Sequence, residues 1–151
     1  MSVISPSITK LAYKRATLTG AAGFGGDATA LQLFTRSGAV HIVSIDAVVV
    51  TTVALQAGTG TPLLSLGTTT KVTQFIADTT ATDLTTSAEI WVDATPDADA
   101  IAQTAALQDI TINENIVLKP TIPGTALINA GVIDFRVVWY PVTAGASLVA
   151  A

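Results

Sequence analysis

The 151-residue chain has no cysteine, one histidine and few charges, with Asp, Glu, Lys and Arg together making up 12% of it. Without cysteine there are no disulfides and no thiolate metal sites, so packing, within the chain or between subunits, must hold the fold together whatever the redox compartment. A charged fraction about half the usual one predicts that part of the surface is covered by something other than water. The formal net charge of −4 and a pI near 4.6 leave no large cluster of Lys and Arg to neutralise phosphates, so nucleic acid is not an expected partner. The opening stretch "MSVISPSITK" lacks a basic segment followed by an apolar one, so no signal peptide is predicted and the mature chain is expected to begin near Met1. The stretch "AVHIVSIDAVVVTTVALQA" is long enough to cross a bilayer but carries His41 and Asp46, and an Asp near the middle of a span costs roughly 2.5–3.5 kcal/mol. No membrane partner is expected.

What is present is Ala, Val, Ile, Leu and Thr, in a chain that is 50% hydrophobic and only 5% aromatic. That length supports one domain with a real core. In the stretch above, His41, Val43, Ile45, Ala47, Val49, Thr51 and Val53 fall on one mostly apolar face at a period of two, while Ser44, Asp46 and Thr52 interrupt the other. This predicts one long strand, or two divided near Asp46. Further strands are predicted at "LQLFTR", "KVTQFIA", "AEIWVDA", "NIVLKP" and "GVIDFRVVWYPV", separated by turn clusters such as "GTGTP", "LGTTT", "DATPDADA" and "TIPGT". Many short strands with turns between them indicate an all-β domain, an antiparallel sandwich or a barrel-like, jelly-roll-like arrangement. Two stretches leave room for one or two short helices. "SPSITKLAYKRA" has Ile8, Leu11, Ala12 and Arg15 at helical spacing, with Ser5 and Pro6 as a cap and first-turn pair, and "DADAIAQTAALQ" is Ala-rich with Asp97 and Asp99 near its start.

A search for chemistry returns no catalytic, cofactor or metal constellation, and the chain is not expected to be an enzyme. His41 lies mid-strand among aliphatic residues and reads as a structural or interface residue. "GAAGFGGDA" has neither the Lys-Ser/Thr ending of a phosphate loop nor the spacing of a dinucleotide fingerprint, and reads as a flexible loop. Glu89, Asp93, Asp97 and Asp99 are the densest acidic run, without the spacing of a calcium loop, and read as a solvated segment. Lys10, Lys14 and Arg15, three of seven basic residues, suit docking on an acidic protein surface.

The alternation is clearest near the end of the chain. Ile133, Phe135, Val137 and Trp139 share a face that reads as core, while Asp134, Arg136 and Tyr140 share the other with Val132 and Val138. Asp134 is expected on an open face. Pro141 cannot donate a ladder hydrogen bond and should end the strand or mark a sheet edge. The following "TAGASLVAA" has no charged side chain and is expected to lie on a partner subunit through Ala146, Leu148 and Val149. The organisation expected is an N-terminal arm and glycine-rich loop over residues 1–30, a β-domain over 31–142 and a C-terminal tail over 143–151.

"LFTRSGAVHIVSI", "AEIWVDATP" and "GVIDFRVVWYPVTAGASLVAA", in that order, resemble the pattern of a group of small tailed-bacteriophage virion structural proteins. In that group a Gly-preceded strand leads to a Leu-Trp or Ile-Trp before Val-Asp-Ala-Thr, then to an aromatic last strand stepping into an Ala-rich terminus. The similarity runs from about Leu31 to the end and carries no catalytic signature. It implies a virion component, a capsid decoration or cement protein sitting as a homotrimer on the outer surface of the head. The major capsid protein would then be its partner, touched by Lys10, Lys14 and Arg15. The alternative is a receptor- or glycan-binding module of a tail fibre or spike, for which Trp91, Trp139, Tyr13 and Tyr140 are the available aromatics.

Overall fold

The computed structural model describes residues 8–19, 29–85, 89–93 and 107–151. These residues form ten strands: β1 (Lys10–Thr17), β2 (Leu31–Ser37), β3 (Val40–Leu55), β4 (Leu63–Thr68), β5 (Ile76–Thr80), β6 (Glu89–Ile90), β7 (Gln108–Ile112), β8 (Ile116–Thr121), β9 (Ile128–Pro141) and β10 (Ser147–Ala150). One sheet runs β1-β9-β3, with β6 and β7 both paired to the far side of β3, and the other runs β10-β2-β8-β4-β5. Every pairing is antiparallel. With β6 and β7 counted as one position, this is the strand order of a jelly roll, two facing four-stranded sheets with β10 added beside β2. The fold is an all-β sandwich, as the alternating pattern predicts.

The core lies between the sheets. Ile133, Phe135, Val137 and Trp139 of β9 meet Leu33 and Phe34 of β2, Leu64 and Leu66 of β4 and Ile116 and Leu118 of β8 in one buried cluster. The inward parity of β9 is the one read from its alternation, and the strand ends at Pro141. β3 is a single strand whose register slips between Ile42 and Ser44. The slip moves the inward set from Val40 and Ile42 to Ile45, Ala47 and Val49. His41 therefore leaves the apolar face on which a strict period of two would put it.

Several local expectations are corrected. Lys10–Thr17 forms a strand rather than a helix. Ala12 and Ala16 alternate inward, and all eight residues pair with β9, so tertiary pairing overrides a helical spacing carried by few residues. In "KVTQFIA" the strand begins only at Ile76. The preceding residues fold back over β4, where Phe75 N–H donates to Leu66 O at 2.9 Å. A Cβ on Gly67 would lie 2.1 Å from Lys71 O, so the absence of a side chain there permits the return. That cover is why β4 is buried on both faces after Leu63. "AEIWVDA" contributes two residues to the ladder, and Trp91 N–H continues it to Ala47 O at 2.9 Å. The glycine-rich loop, Asp97, Asp99 and most of "DADAIAQTAALQ" lie outside the described residues.

The C-terminal segment is also not a free tail. Ser147–Ala150 pairs with β2, and Ala146 and Leu148 sit in the chain's own core. The connection from β9 is fastened to the β2–β3 turn, where Thr143 Oγ1 accepts from Ala39 N–H at 3.0 Å. Gly38, at φ +74°, lies so close beneath that a Cβ would fall 2.5 Å from Thr143 Oγ1. Glycine meets both the backbone and the space requirement there.

Candidate functional site

The outer face of the first sheet brings together Leu11, Tyr13, Arg15, His41, Asp134, Arg136 and Tyr140 of the side chains singled out in the sequence. Its rows follow from register, since residues directly opposite on neighbouring strands share a face. Leu11 of β1 lies beside Val138 of β9 and Ser44 of β3; Tyr13 lies beside Arg136 and Asp46; Arg15 lies beside Asp134 and Val48. Leu11 is 66% and Tyr13 45% exposed. Both stand on an edge strand, whose outer rim has no ladder partner among the described residues.

Arg15 grips Asp134 through two parallel bonds, Nε to Oδ1 at 2.7 Å and Nη2 to Oδ2 at 2.8 Å. This fork geometry is the strong form of a carboxylate contact. It holds the Asp134 carboxyl below its ordinary range, chiefly through the Arg15 hydrogen bonds, against the opposing push of burial. The same contact raises Arg15 further above its ordinary value. Asp134 is buried rather than open, at 7% exposure, because Arg15 and Tyr13 of the neighbouring strand lie over it.

The three expected cationic contacts are not one cluster. Lys10 and Lys14 stand opposite Trp139 and Phe135, so they share the inner face of the sheet and reach out along its margin. The Lys10 Nζ lies 5.2 Å from the Trp139 ring centroid, a cation–π contact. Lys14 Nζ donates to the main-chain oxygen of Ala151, tying the edge of one sheet to the strand at the edge of the other. Charged residues pointing inward from an edge strand also discourage unwanted strand addition. Arg15 alone is on the outer face. Of the three expected interface residues, Ala146 and Leu148 are buried inside this chain, and Val149, at 54% exposure, is the one that faces out.

His41 sits at the end of the same outer face, stacked on Tyr140 with centroids 4.6 Å apart. Its Nδ1 is 3.0 Å from Thr111 Oγ1 and its Nε2 is 3.7 Å from Asp109 Oδ1. The second distance is beyond hydrogen-bond reach, so among the described residues the ring is oriented by the Thr111 hydroxyl and by no hydrogen-bonded carboxylate. Both tryptophans are buried: Trp91 is fully enclosed and donates through Nε1 to Thr79 Oγ1 at 2.9 Å, and Trp139 is 3% exposed. Neither offers a face to a ligand. No group of three or more His, Cys, Asp or Glu side chains converges among the described residues, and no described helix is long and apolar enough to cross a membrane.

The pattern that points to this surface is the Leu11-x-Tyr13 pair, which is concealed in the sequence by helical spacing. Comparison of the chain with models of protein families, with curated proteins and with solved structures gives no match.

Proposed function

We propose that the chain is a structural protein of a tailed-bacteriophage virion, a capsid decoration protein that assembles as a homotrimer on the head and stabilises it. The observation that carries this reading is the pair of exposed apolar side chains, Leu11 and Tyr13, side by side on the outer face of an edge strand. Isolated exposed apolar residues are ordinary, whereas a large aliphatic and an aromatic residue on one sheet face, with an arginine between strands, have the composition of an interface centre. Low overall charge and jelly-roll architecture agree with it, since this architecture recurs in capsid and lectin domains. The major capsid protein is the partner for the β1 face, with Lys10 at its margin.

The test is re-addition of purified protein to particles stripped of it. The parent should restore occupancy and resistance to heat or osmotic shock. Leu11→Asp and Leu11→Lys, at a solvent-exposed position that covers no buried charge, should fold normally and fail to bind. Parent-like occupancy and protection with both variants would remove the surface from the mechanism.

A further inference from the structure

A concavity lies away from the β1 face. It is an open depression of about 310 Å3 between the irregular turn after β4 and the segment leading from β7 into β8. Lys71 and Gln74 line one side; Ile110, Ile112, Asn113 and Glu114 line the other. The two walls are held in place by Glu114, which accepts from Thr70 N–H at 2.8 Å through one carboxylate oxygen and from Thr70 Oγ1 at 2.6 Å through the other. These bonds, the hydroxyl first, keep the Glu114 carboxyl ionised below its ordinary range. The turn is braced again by Gln74 N–H donating to Lys71 O at 2.9 Å and by Thr68 N–H donating to the same oxygen at 2.9 Å. The concavity is thus pre-formed.

We infer that this pocket binds a single neutral sugar ring, as the exposed end of a glycan. Its volume lies at the small end of ligand pockets, which run from about 300 to 1,000 Å3. The ammonium of Lys71 donates only, the carboxylate of Glu114 accepts only, and the amides of Gln74 and Asn113 do both. Vicinal hydroxyls, each donor and acceptor, match such a set, and half-buried Ile110 supplies the apolar surface for the C–H face of a ring, with the buried Ile112 behind it. Lys71 and Glu114 face each other across the site with opposite charges, and Arg36 also acts on the Glu114 carboxylate; the set offers donors and acceptors together. The inference is independent of assembly through the β1 face, which lies on other strands.

Nitrogen–proton correlation spectra of the 15N-labelled full chain, titrated with methyl glycosides of glucose, galactose, mannose, N-acetylglucosamine and rhamnose, test it. At least one glycoside should shift the amides of residues 68–74 and 110–114 saturably. Gln74→Ala and Asn113→Ala should each weaken that binding at least about tenfold, each removing hydrogen bonds from a ligand whose hydroxyls are then left unpaired, while leaving the other amide shifts and the β1-face activity unchanged. No saturable shift with any glycoside would overturn the inference. So would inorganic phosphate shifting the same amides while the sugars stay silent, which would make the site an anion pocket of Lys71.

Discussion

Replacing Arg15 with Met should cost more stability than replacing its partner Asp134 with Ala, although the two side chains share the same pair of hydrogen bonds. The asymmetry comes from what each change leaves behind. The Asp134 side chain is 10% exposed and that of Arg15 is 54% exposed. After Arg15→Met, a carboxylate remains under the sheet surface without its charge-assisted donors, a loss of roughly 2–3 kcal/mol. After Asp134→Ala the guanidinium turns into water, and the cost falls to about 1 kcal/mol. The double change Arg15→Met/Asp134→Leu, which removes both charges and keeps the volume, should return to within about 1 kcal/mol of the parent. The pH dependence has a fixed sign. In the parent, the folded-state pKa of Asp134 lies below its unfolded value, so the contribution is fully present above the ordinary carboxylate value of about 3.9 and is lost as the pH falls through the lowered one. In Arg15→Met the carboxylate keeps the Tyr13 hydrogen bond and the Arg136 charge but loses its largest stabilising contact while its burial remains, so its pKa rises relative to the parent; the penalty is greatest at neutral pH and disappears once acid protonates it in both states. Urea denaturation at pH 7 and near pH 3.5 should therefore show the gap between parent and Arg15→Met closing in acid. An Asp134→Ala variant less stable than Arg15→Met at pH 7, or single changes whose costs add in the double variant, would refute the reasoning.

Trp139→Ala should cost roughly 3–5 kcal/mol by emptying the centre of the core. Trp139→Phe should stay within about 1.5 kcal/mol, because the indole N–H it removes is buried without a partner among the described residues; equal costs for the two in chemical denaturation would contradict this. Deleting residues 147–151 removes β10 and uncovers β2, so it should lower stability by roughly 2–3 kcal/mol, the value of burying a Leu side chain and its neighbours; an unchanged denaturation midpoint would show that β10 adds nothing to the fold. Ser65→Ala should be neutral or stabilising by up to about 1 kcal/mol, since the Ser65 hydroxyl is enclosed with no hydrogen-bond partner among the described residues, and a clear loss would reveal a partner for it.

Strands with a long uninterrupted alternation are legible in the sequence. β9 carries Ile133, Phe135, Val137 and Trp139 on one face, and the buried set includes the same four residues. β1 is not legible, because its inward positions are Lys10, Ala12, Lys14 and Ala16, small or charged residues that give no hydrophobic period. What makes it a strand is β9, more than a hundred residues away in the chain, a long-range cause that no local pattern contains. The consequence reaches the site: a helix in place of β1 would leave nothing over Asp134, and its face would be open. β10 is hidden for a different reason. Its single inward anchor, Leu148, stands among small residues that also suit a tail. The functional residues follow the same division. Lys10, Lys14 and Arg15 are sequence neighbours, yet alternation sends Arg15 to the opposite face from the two lysines. Leu11 and Tyr13, one position out of phase with the lysines, carry the surface instead.

Electron cryo-microscopy of virions bearing the protein tests the central claim most directly. The account predicts the sandwich as a trimer on the outer surface of the head, with Leu11 and Tyr13 covered by the shell. Density confined to the tail, or a decorated head in which the β1 face points into solvent, would contradict it.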